Sequence, residues 1–334
     1  MRVWQYPMLV LMFCTLLGAS PLMAQQSKVY QANKGRIGLM TGRPTGTYVK
    51  IGGDLSSVLD SKYGLRIISM LGRGAQSNID DMLYLMAVDM GLVQSDVLTQ
   101  IRLTDPNNEA LQKISYIAKI YNEELHVLTS RTSNIKSFAD LKGKRVNTGG
   151  IGSGTKLTAQ LVLKFLDMNV VEQNLRNVDA LEALKSGNLD AMMFVAGKPT
   201  AFASGLSIAD NLRLISVPYS GLLSGIYQPS QFTSQDYPAL IDGKFIETIS
   251  VGAVLAVYDD HAKNSNRYAA LIAFCKALLE NQNAFRNPAR HEKWEEFNPH
   301  DLVPGWRRFE PMQRLLAGED IAKGNTIEDI MKNQ

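Results

Sequence analysis

The segment best suited to chemistry is a glycine-rich loop, Gly149-Gly150-Ile151-Gly152-Ser153-Gly154-Thr155, which a helical pattern follows directly. Glycines let the backbone approach a ligand closely, because they carry no side chain. The start of a helix adds N–H groups without partners and the positive end of the helix dipole. This combination predicts a site for an anionic group such as a carboxylate, with contacts from Ser153, Gly154 and Thr155.

A second loop of similar composition, Thr41-Gly42-Arg43-Pro44-Thr45-Gly46-Thr47-Tyr48, lies about a hundred residues earlier. Arg43 in this loop and Arg73 further on each follow a predicted strand, where ligands enter parallel sheets. A guanidinium group can hold a carboxylate through paired hydrogen bonds. The alternative for each arginine is a surface side chain paired with solvent or with a nearby acid. Two such loops indicate one small anionic metabolite held between two lobes.

Other polar side chains at predicted strand ends are further candidates for ligand contacts. Taken singly, each of these residues is more often a helix cap or a partly buried packing residue than a ligand contact. Taken together at the ends of strands, they predict the remainder of the site: Thr47, Tyr48, Gln76, Asn78, Gln94, Tyr121 and Lys198.

Several catalytic motifs are incomplete in this chain. The segment Gly149 to Lys156 has the two glycines of a P-loop, but Thr155 and Lys156 stand in the reverse of the required order. The residues around Ser153 lack the outer glycines of a nucleophile elbow. His291-Glu292-Lys293-Trp294-Glu295 lacks the second histidine of a zinc motif, so the histidines are expected at the surface. We expect no catalysis, no cofactor and no metal.

Residues 1–24 have the pattern of a secretory signal peptide: Arg2, a short apolar run and a small residue, Ala24, at the end. The alternative is an uncleaved anchor. The expected mature protein begins at Gln25 and is periplasmic. Its one cysteine, Cys275, lies in an apolar helical pattern, which predicts a buried thiol without a disulfide partner.

Composition is typical of a globular protein, with 45% hydrophobic and 20% charged residues. The net charge of +3 includes Arg2, so removal of the first 24 residues leaves 3 − 1 = +2. This charge is too small to indicate nucleic acid or an anionic membrane as a partner.

The elements that must position the two loops alternate between strands and helices, which predicts a parallel sheet covered on both faces. The expected strands include 36–40, 65–70, 89–93, 114–121, 126–130, 144–148, 191–195, 212–217 and a return strand within 245–258. Expected helices include 47–59, one capped by Ser77, one after Gly154 and one over 178–184, and the tail from 262 to 330 is expected to be mostly helical.

In order along the chain, several segments resemble the TAXI-type solute-binding proteins of tripartite ATP-independent periplasmic (TRAP) transporters. The matching segments are Gly46-Thr47-Tyr48, Gly74-Ala75-Gln76-Ser77-Asn78, 89–96, 137–146, Gly152-Ser153-Gly154-Thr155 and 195–200. The resemblance covers nearly all of the mature chain. Where the family commonly has Thr-Gly-Gly-Ser, this chain has Arg73-Gly74-Ala75-Gln76. This departure falls in the expected pocket, and the two arginines there, Arg43 and Arg73, favour a more acidic ligand.

The resemblance implies an α/β, type II periplasmic binding protein fold, with two lobes joined by a two-strand hinge. The expected boundaries are 25–125 for lobe 1, 126–248 for lobe 2 and 249–334 for the return to lobe 1 and the C-terminal helices. Such a protein captures a small carboxylate, for example an amino acid or a dicarboxylate such as glutamate or 2-oxoglutarate. It delivers this ligand to an integral-membrane permease. A ligand sensor for a signalling system and an enzyme of heterocycle metabolism with the same fold are the alternatives.

Overall fold

The computed structural model describes residues 32–44, 46–263 and 265–319, together with residues 28 and 321. The expected signal peptide lies outside this range. Strands in the described part are β1 (Arg36–Met40), β2 (Arg66–Met70), β3 (Met90–Gln94), β4 (Ile114–Ser130), β5 (Arg145–Asn147), β6 (Val171–Gln173), β7 (Ala191–Ala196), β8 (Leu212–Leu214), β9 (Gln228–Thr233) and β10 (Phe245–Tyr258).

Helices connect most of these strands. Their bounds are α1 (Thr47–Leu59), α2 (Ala75–Tyr84), α3 (Val97–Thr104), α4 (Ala110–Lys113), α5 (Gly154–Phe165), α6 (Asn177–Lys185), α7 (Ala201–Ser204), α8 (Asn266–Glu280), α9 (Gln282–Phe285) and α10 (Glu310–Leu316). Short 3₁₀ turns cover Lys62–Gly64, Phe138–Leu141, Ile208–Asp210 and Glu292–Glu296. No helix within these described residues has the length and apolar character needed to span a membrane.

One curled sheet runs through the molecule in the order β2-β1-β3-β10-β4-β7-β5-β6, with β8 paired to β4 and β9 paired to β10. Strands β1, β2 and β3 are parallel, and so are β5, β6 and β7. All five residues of β3 are buried, because helices cover both faces of the parallel portions. The fold class is therefore α/β, as predicted, but the sheet is mixed rather than parallel, because β4 and β10 run antiparallel to their neighbours.

Two long antiparallel strands cross from one half of the sheet to the other. β4 pairs with β10 from Ile114 to Glu124, and Glu124 is also the point where pairing with β7 begins. β10 pairs with β9 up to Ser250 and with β3 from Ala253 onwards. The two segments expected at 114–121 and 126–130 are thus one strand, because the pairing partner changes while the backbone stays extended.

We call the half with β1, β2, β3 and α1 to α4 lobe 1, and the half with β5 to β9 and α5 to α7 lobe 2. The chain boundaries expected at 125/126 and 248/249 remain a prediction. The exchange of strand partners at Glu124 and between Ser250 and Ala253 is the structural feature that supports them.

The start of α2 differs from the sequence prediction. Ser77 was expected to cap this helix, but the helix begins at Ala75 and Gly74 occupies the N-cap. Ser77 lies inside the first turn and is buried. Gly74 has φ +139, a conformation that side-chain-bearing residues rarely adopt, so glycine rather than a hydrogen-bonding cap defines this start.

The C-terminal region packs against lobe 1. Helix α8 contributes Leu271, Phe274 and Leu278 to the same apolar cluster as β1 and α1. Cys275 is buried there without a disulfide partner, as predicted, and burial raises the pKa of its thiol. The described tail is less helical than expected: between Arg286 and Phe309 it is mainly irregular, with one 3₁₀ turn.

Candidate functional site

A cavity of about 840 Å³ lies between the lobes. Both glycine-containing loops reach it, although they belong to different lobes. The sequence-predicted residues that line it are Arg43, Thr47, Tyr48, Arg73, Gln94, Ser153, Gly154 and Thr155. The cavity is therefore where the fold brings together the two segments that the sequence singles out.

Four helices of at least nine residues point their N-termini at this cavity. Their N-cap residues Gly46, Gly74, Ser153 and Arg176 all line it. Three of these helices, α1, α2 and α5, carry no acidic residue in the first turn. Because the N–H groups of a first turn have no partner within their own helix, they provide donors and a positive potential for an anion.

Three arginines surround the mouth of the cavity, and all are exposed. The guanidinium groups of Arg43 and Arg73 make no hydrogen bond or salt bridge with any residue that the structure describes. Arg176, by contrast, is held by Asp179 through contacts of 2.8 and 3.2 Å. Arg43 and Arg73 are thus available to a ligand without breaking a salt bridge, although Arg73 also interacts electrostatically with Asp80 and Asp81 of α2.

The lobes touch closely at the start of α5. A Cβ atom added to Gly154 would lie 1.7 Å from Oε1 of Gln94 in lobe 1. A Cβ added to Gly74 would lie 3.2 Å from Cα of Ser153. A side chain at position 154 would therefore displace the buried Gln94 side chain in this arrangement of the lobes.

The deep end of the cavity contains a carboxyl group that the sequence analysis missed. Glu123 lines the cavity but is only 6% exposed. Tyr48 Oη donates to its Oε2 at 3.0 Å, and Tyr121 Oη donates to its Oε1 at 3.1 Å. Burial raises the pKa of Glu123 to about 7, against the lowering effect of the two tyrosine hydroxyls. Tyr48 therefore positions an acid as well as lining the cavity.

The sequence matches the NMT1-like family over residues 39–304. This chain belongs to that family. The periplasmic binding protein BugD is a structural neighbour with a TM-score of 0.52 and 12% identity, over 89% of this chain and 96% of that one. An ancestral arginine-binding protein bound to arginine gives a TM-score of 0.50 and 17% identity, over 78% of this chain and 98% of that one. The fold is that of type II periplasmic binding proteins.

Four predicted contact residues of this NMT1-like protein lie outside the cavity lining: Gln76, Asn78, Tyr121 and Lys198. Asn78 is fully buried, and its Nδ2 donates at 2.7 Å both to the carbonyl of Thr41 and to that of Leu92. These hydrogen bonds connect α2 to the residue after β1 and to β3. Gln76 is half-buried on α2 and is not part of the lining.

Lys198 is used for structure in lobe 2. Its Nζ binds Asp236 at 3.1 Å and the carbonyl of Gln231 at 2.6 Å. Its backbone N–H donates to Oε2 of Glu124 at 2.9 Å, beside the point where β4 changes partner. Lys198 thus connects β4 to the chain around Gln231 and Asp236. Its contact with a ligand stays a prediction, and its position outside the cavity lining does not support it.

The residues at the start of α5 combine two roles. Ser153 Oγ accepts a hydrogen bond from the backbone of Lys156 at 3.2 Å and so caps the helix. Thr155 Oγ1 accepts from the backbone of Val195 at 3.0 Å and ties the helix to β7. The hydroxyls therefore fix the loop, and the N–H groups of Gly154 and Thr155 in the first turn are the groups left for an anion.

The prediction that the histidines lie at the surface is wrong for His126. This residue is fully buried on β4, stacked on Phe194 with ring centroids 4.2 Å apart. Its Nε2 is 2.8 Å from Oη of Tyr237, and its Nδ1 is 2.9 Å from the carbonyl of Glu124. Burial lowers the pKa of His126 to about 3, so the ring is neutral and supports the cavity wall from behind.

Other lining residues were also missed: Arg176, Asn177, Phe194, Thr200 and Phe202. A signal for Glu123 was available, because Glu123 and Glu124 form an acidic pair inside an otherwise apolar strand. The remaining residues carry no comparable signal. They reach the cavity because β7 and the starts of α6 and α7 lie at the same edge of lobe 2 as α5.

Proposed function

We propose that this protein is an extracytoplasmic, non-catalytic solute receptor that captures a small carboxylate and delivers it to a TRAP-type permease. The observation that carries the proposal is the convergence of four helix N-termini on one cavity between the lobes, together with Arg43 and Arg73, which form no salt bridge within the described residues. Backbone donors hold the carboxylate, and Arg43 and Arg73 close over it from lobe 1.

The ligand class follows from the charge of these groups. An anion gains both from the helix dipoles and from the guanidinium groups, and burial between the lobes strengthens those interactions by excluding water. Closure of two lobes around the ligand is a hinge motion, for which the β4–β10 crossing is the connection. The resemblance to TAXI-type proteins favours amino acids or dicarboxylates as ligands and a TRAP permease as the partner.

A thermal-shift screen of amino acids, monocarboxylates, dicarboxylates and sulfonates tests the binding step. The protein is first stripped of ligand by partial unfolding and refolding. A true ligand raises Tm as its concentration exceeds Kd, because it binds only the folded state. Arg43→Ala and Arg73→Ala should each reduce that shift. Arg286→Ala is the control, because Arg286 is exposed and lies outside the cavity.

If no carboxylate shifts Tm, or if both cavity variants respond like the wild type, the receptor proposal is wrong. Uptake of a labelled hit into proteoliposomes with a TRAP permease from the same organism tests delivery. Uptake that requires this protein supports transport. Tight binding without uptake favours the sensor alternative. A mature N-terminus at Gln25, measured by mass spectrometry of the exported protein, tests the proposed periplasmic location.

A further inference from the structure

The wall that lobe 2 contributes to the cavity is largely apolar. Beyond the start of α5 it includes Val178, Phe194, Val195, Ala196, Ala201 and Phe202. Phe194 and Phe202 meet edge to face, with ring centroids 5.2 Å apart. Phe194 is in turn stacked on the buried ring of His126, so the aromatic part of the wall is rigid. A surface of this kind stabilises an apolar group of a ligand rather than a second charge.

Charge is distributed unevenly along the depth of the cavity. Among the described lining residues, the basic side chains are Arg43, Arg73 and Arg176, and all three are exposed at the mouth. The acid Glu123 occupies the deep end. A ligand with a carboxylate at each end would place one of them near Glu123 without a basic lining residue beside it.

The volume of the cavity leaves space for more than a carboxylate. Ligand sites of roughly 300 to 1,000 Å³ hold drug-sized molecules, and this cavity measures about 840 Å³. A carboxylate held by the helix N-termini would therefore leave the apolar wall uncovered unless the ligand carried an apolar body.

We propose that the preferred ligand is a monocarboxylate with an apolar body, either a ring or an aliphatic chain, and that the wall around Phe202 and Val178 binds this body, with the buried Phe194 ring supporting Phe202 from behind. This proposal rests on the carboxylate-receptor function proposed above and narrows it to monocarboxylates, in contrast to the dicarboxylates that the resemblance to TAXI-type proteins favours. Specificity against dicarboxylates comes from the apolar wall together with Glu123 at the deep end.

Titration calorimetry with matched acids tests the proposal on ligand-stripped protein. The series butanoate, pentanoate and hexanoate varies only the apolar length, and adipate adds a second carboxylate to the six-carbon chain. Affinity should rise about fourfold with each methylene, the value expected for burial of that group. Hexanoate should bind at least about tenfold more tightly than adipate, and phenylacetate should bind more tightly than acetate.

Two variants locate the effect. Phe202→Ala removes one ring of the wall and should abolish most of the gain with chain length. Val178→Ser changes a side chain that is 61% exposed, so it leaves folding intact and should weaken hexanoate binding about threefold. Val171→Ser is the matched control on β6, because Val171 is 51% exposed and lies outside the cavity lining.

A flat response to chain length, or tighter binding of adipate than hexanoate, overturns the apolar-ligand proposal. Provided that these acids still bind and Arg43→Ala weakens them, the carboxylate-receptor function survives that result. If no acid in the series binds, and the broader screen also finds no carboxylate, both proposals fail.

Discussion

Thr158 of lobe 2 donates a hydrogen bond of 2.7 Å to Oδ2 of Asp96 in lobe 1, and both side chains are almost completely buried. Tyr227, which precedes β9, donates to the same oxygen at 2.9 Å. Asp96 lies two residues after the cavity residue Gln94 and immediately before α3. One carboxyl group of lobe 1 is thus held by two hydroxyls of lobe 2, beside the ligand cavity.

This contact predicts that Thr158→Val weakens ligand binding. Valine has nearly the same shape but cannot donate, so the arrangement of the lobes seen here loses a hydrogen bond to a carboxyl group. Such a bond contributes about 1.5–3 kcal/mol, which corresponds to a loss of affinity of about tenfold or more. Calorimetry with any ligand found in the screen measures the change. Thr129→Val is the control, because Thr129 makes its hydrogen bonds within lobe 2; equal Kd values for the wild type and Thr158→Val would contradict the role.

The pH dependence of stability provides a second test of Asp96. Burial raises the pKa of Asp96 to about 6, against the lowering effect of the Thr158 and Tyr227 hydroxyls. Between about pH 4 and pH 6 the folded state holds a proton that the unfolded state has released. The contribution of Asp96 to the free energy of unfolding therefore falls as pH rises through this window.

Asp96→Asn removes that titration. Relative to the wild type, the variant should gain about 2–3 kcal/mol in the free energy of unfolding between pH 4 and pH 7. Urea unfolding of both proteins at several pH values measures the difference between their free energies of unfolding. The contributions of the other titrating groups are the same in both proteins and cancel in this difference. A difference that stays constant with pH would show that the pKa of Asp96 is not raised.

Glu123 predicts a pH-dependent affinity for anionic ligands. Its pKa of about 7 is set mainly by burial, and the surrounding charged and titratable groups are Tyr48, Tyr121, Glu124 and Lys293. As pH rises from 6 to 8 the side chain loses its proton and adds a negative charge to the cavity. Affinity for a monocarboxylate should fall by up to about tenfold, which corresponds to a one-unit change in the pKa of Glu123 on binding.

Glu123→Gln should remove this dependence, since glutamine does not titrate. Burial also raises the pKa of Glu124 to about 7, so Glu124→Gln is the necessary comparison. Glu124 is outside the cavity lining and faces the Lys198 backbone and Lys293, so its variant should keep the pH dependence. If the dependence survives in Glu123→Gln and disappears in Glu124→Gln, the assignment to Glu123 is wrong.

The contact between the lobes predicts that Gly154→Ala impairs closure. The added methyl group would lie 1.7 Å from Oε1 and 2.5 Å from Cδ of Gln94. Crowding of this kind costs up to about 1–3 kcal/mol, and it acts on the approach of the two lobes seen in this structure, so affinity should fall by up to about tenfold. Gly53→Ala is the control, because no atom lies within 4 Å of the added methyl. Wild-type affinity in Gly154→Ala would show that the two lobes do not need this close approach.

Local patterns in the sequence were sufficient to predict most of the elements. The strand 36–40 and the helix 47–59 agree with β1 and α1 residue for residue, because each has a clear apolar period and glycine at its border. The helix over 178–184 agrees with α6 to within one residue at each end. Ser137 and Asp140 form a capping box at the start of the 3₁₀ turn Phe138–Leu141, a local pattern whose two partners lie within one turn.

The sequence by itself therefore determined the alternating elements and two loops suited to an anion. Only the tertiary structure decided which polar side chains face the cavity. Tyr48 meets Glu123 across 75 residues, and Thr158 meets Asp96 across 62, because the strand crossing brings separate parts of the chain together. Asn78 and Lys198 bind backbone carbonyls or acids elsewhere instead. A side chain's type states what it can bind, but partners distant in the chain determine what it does bind.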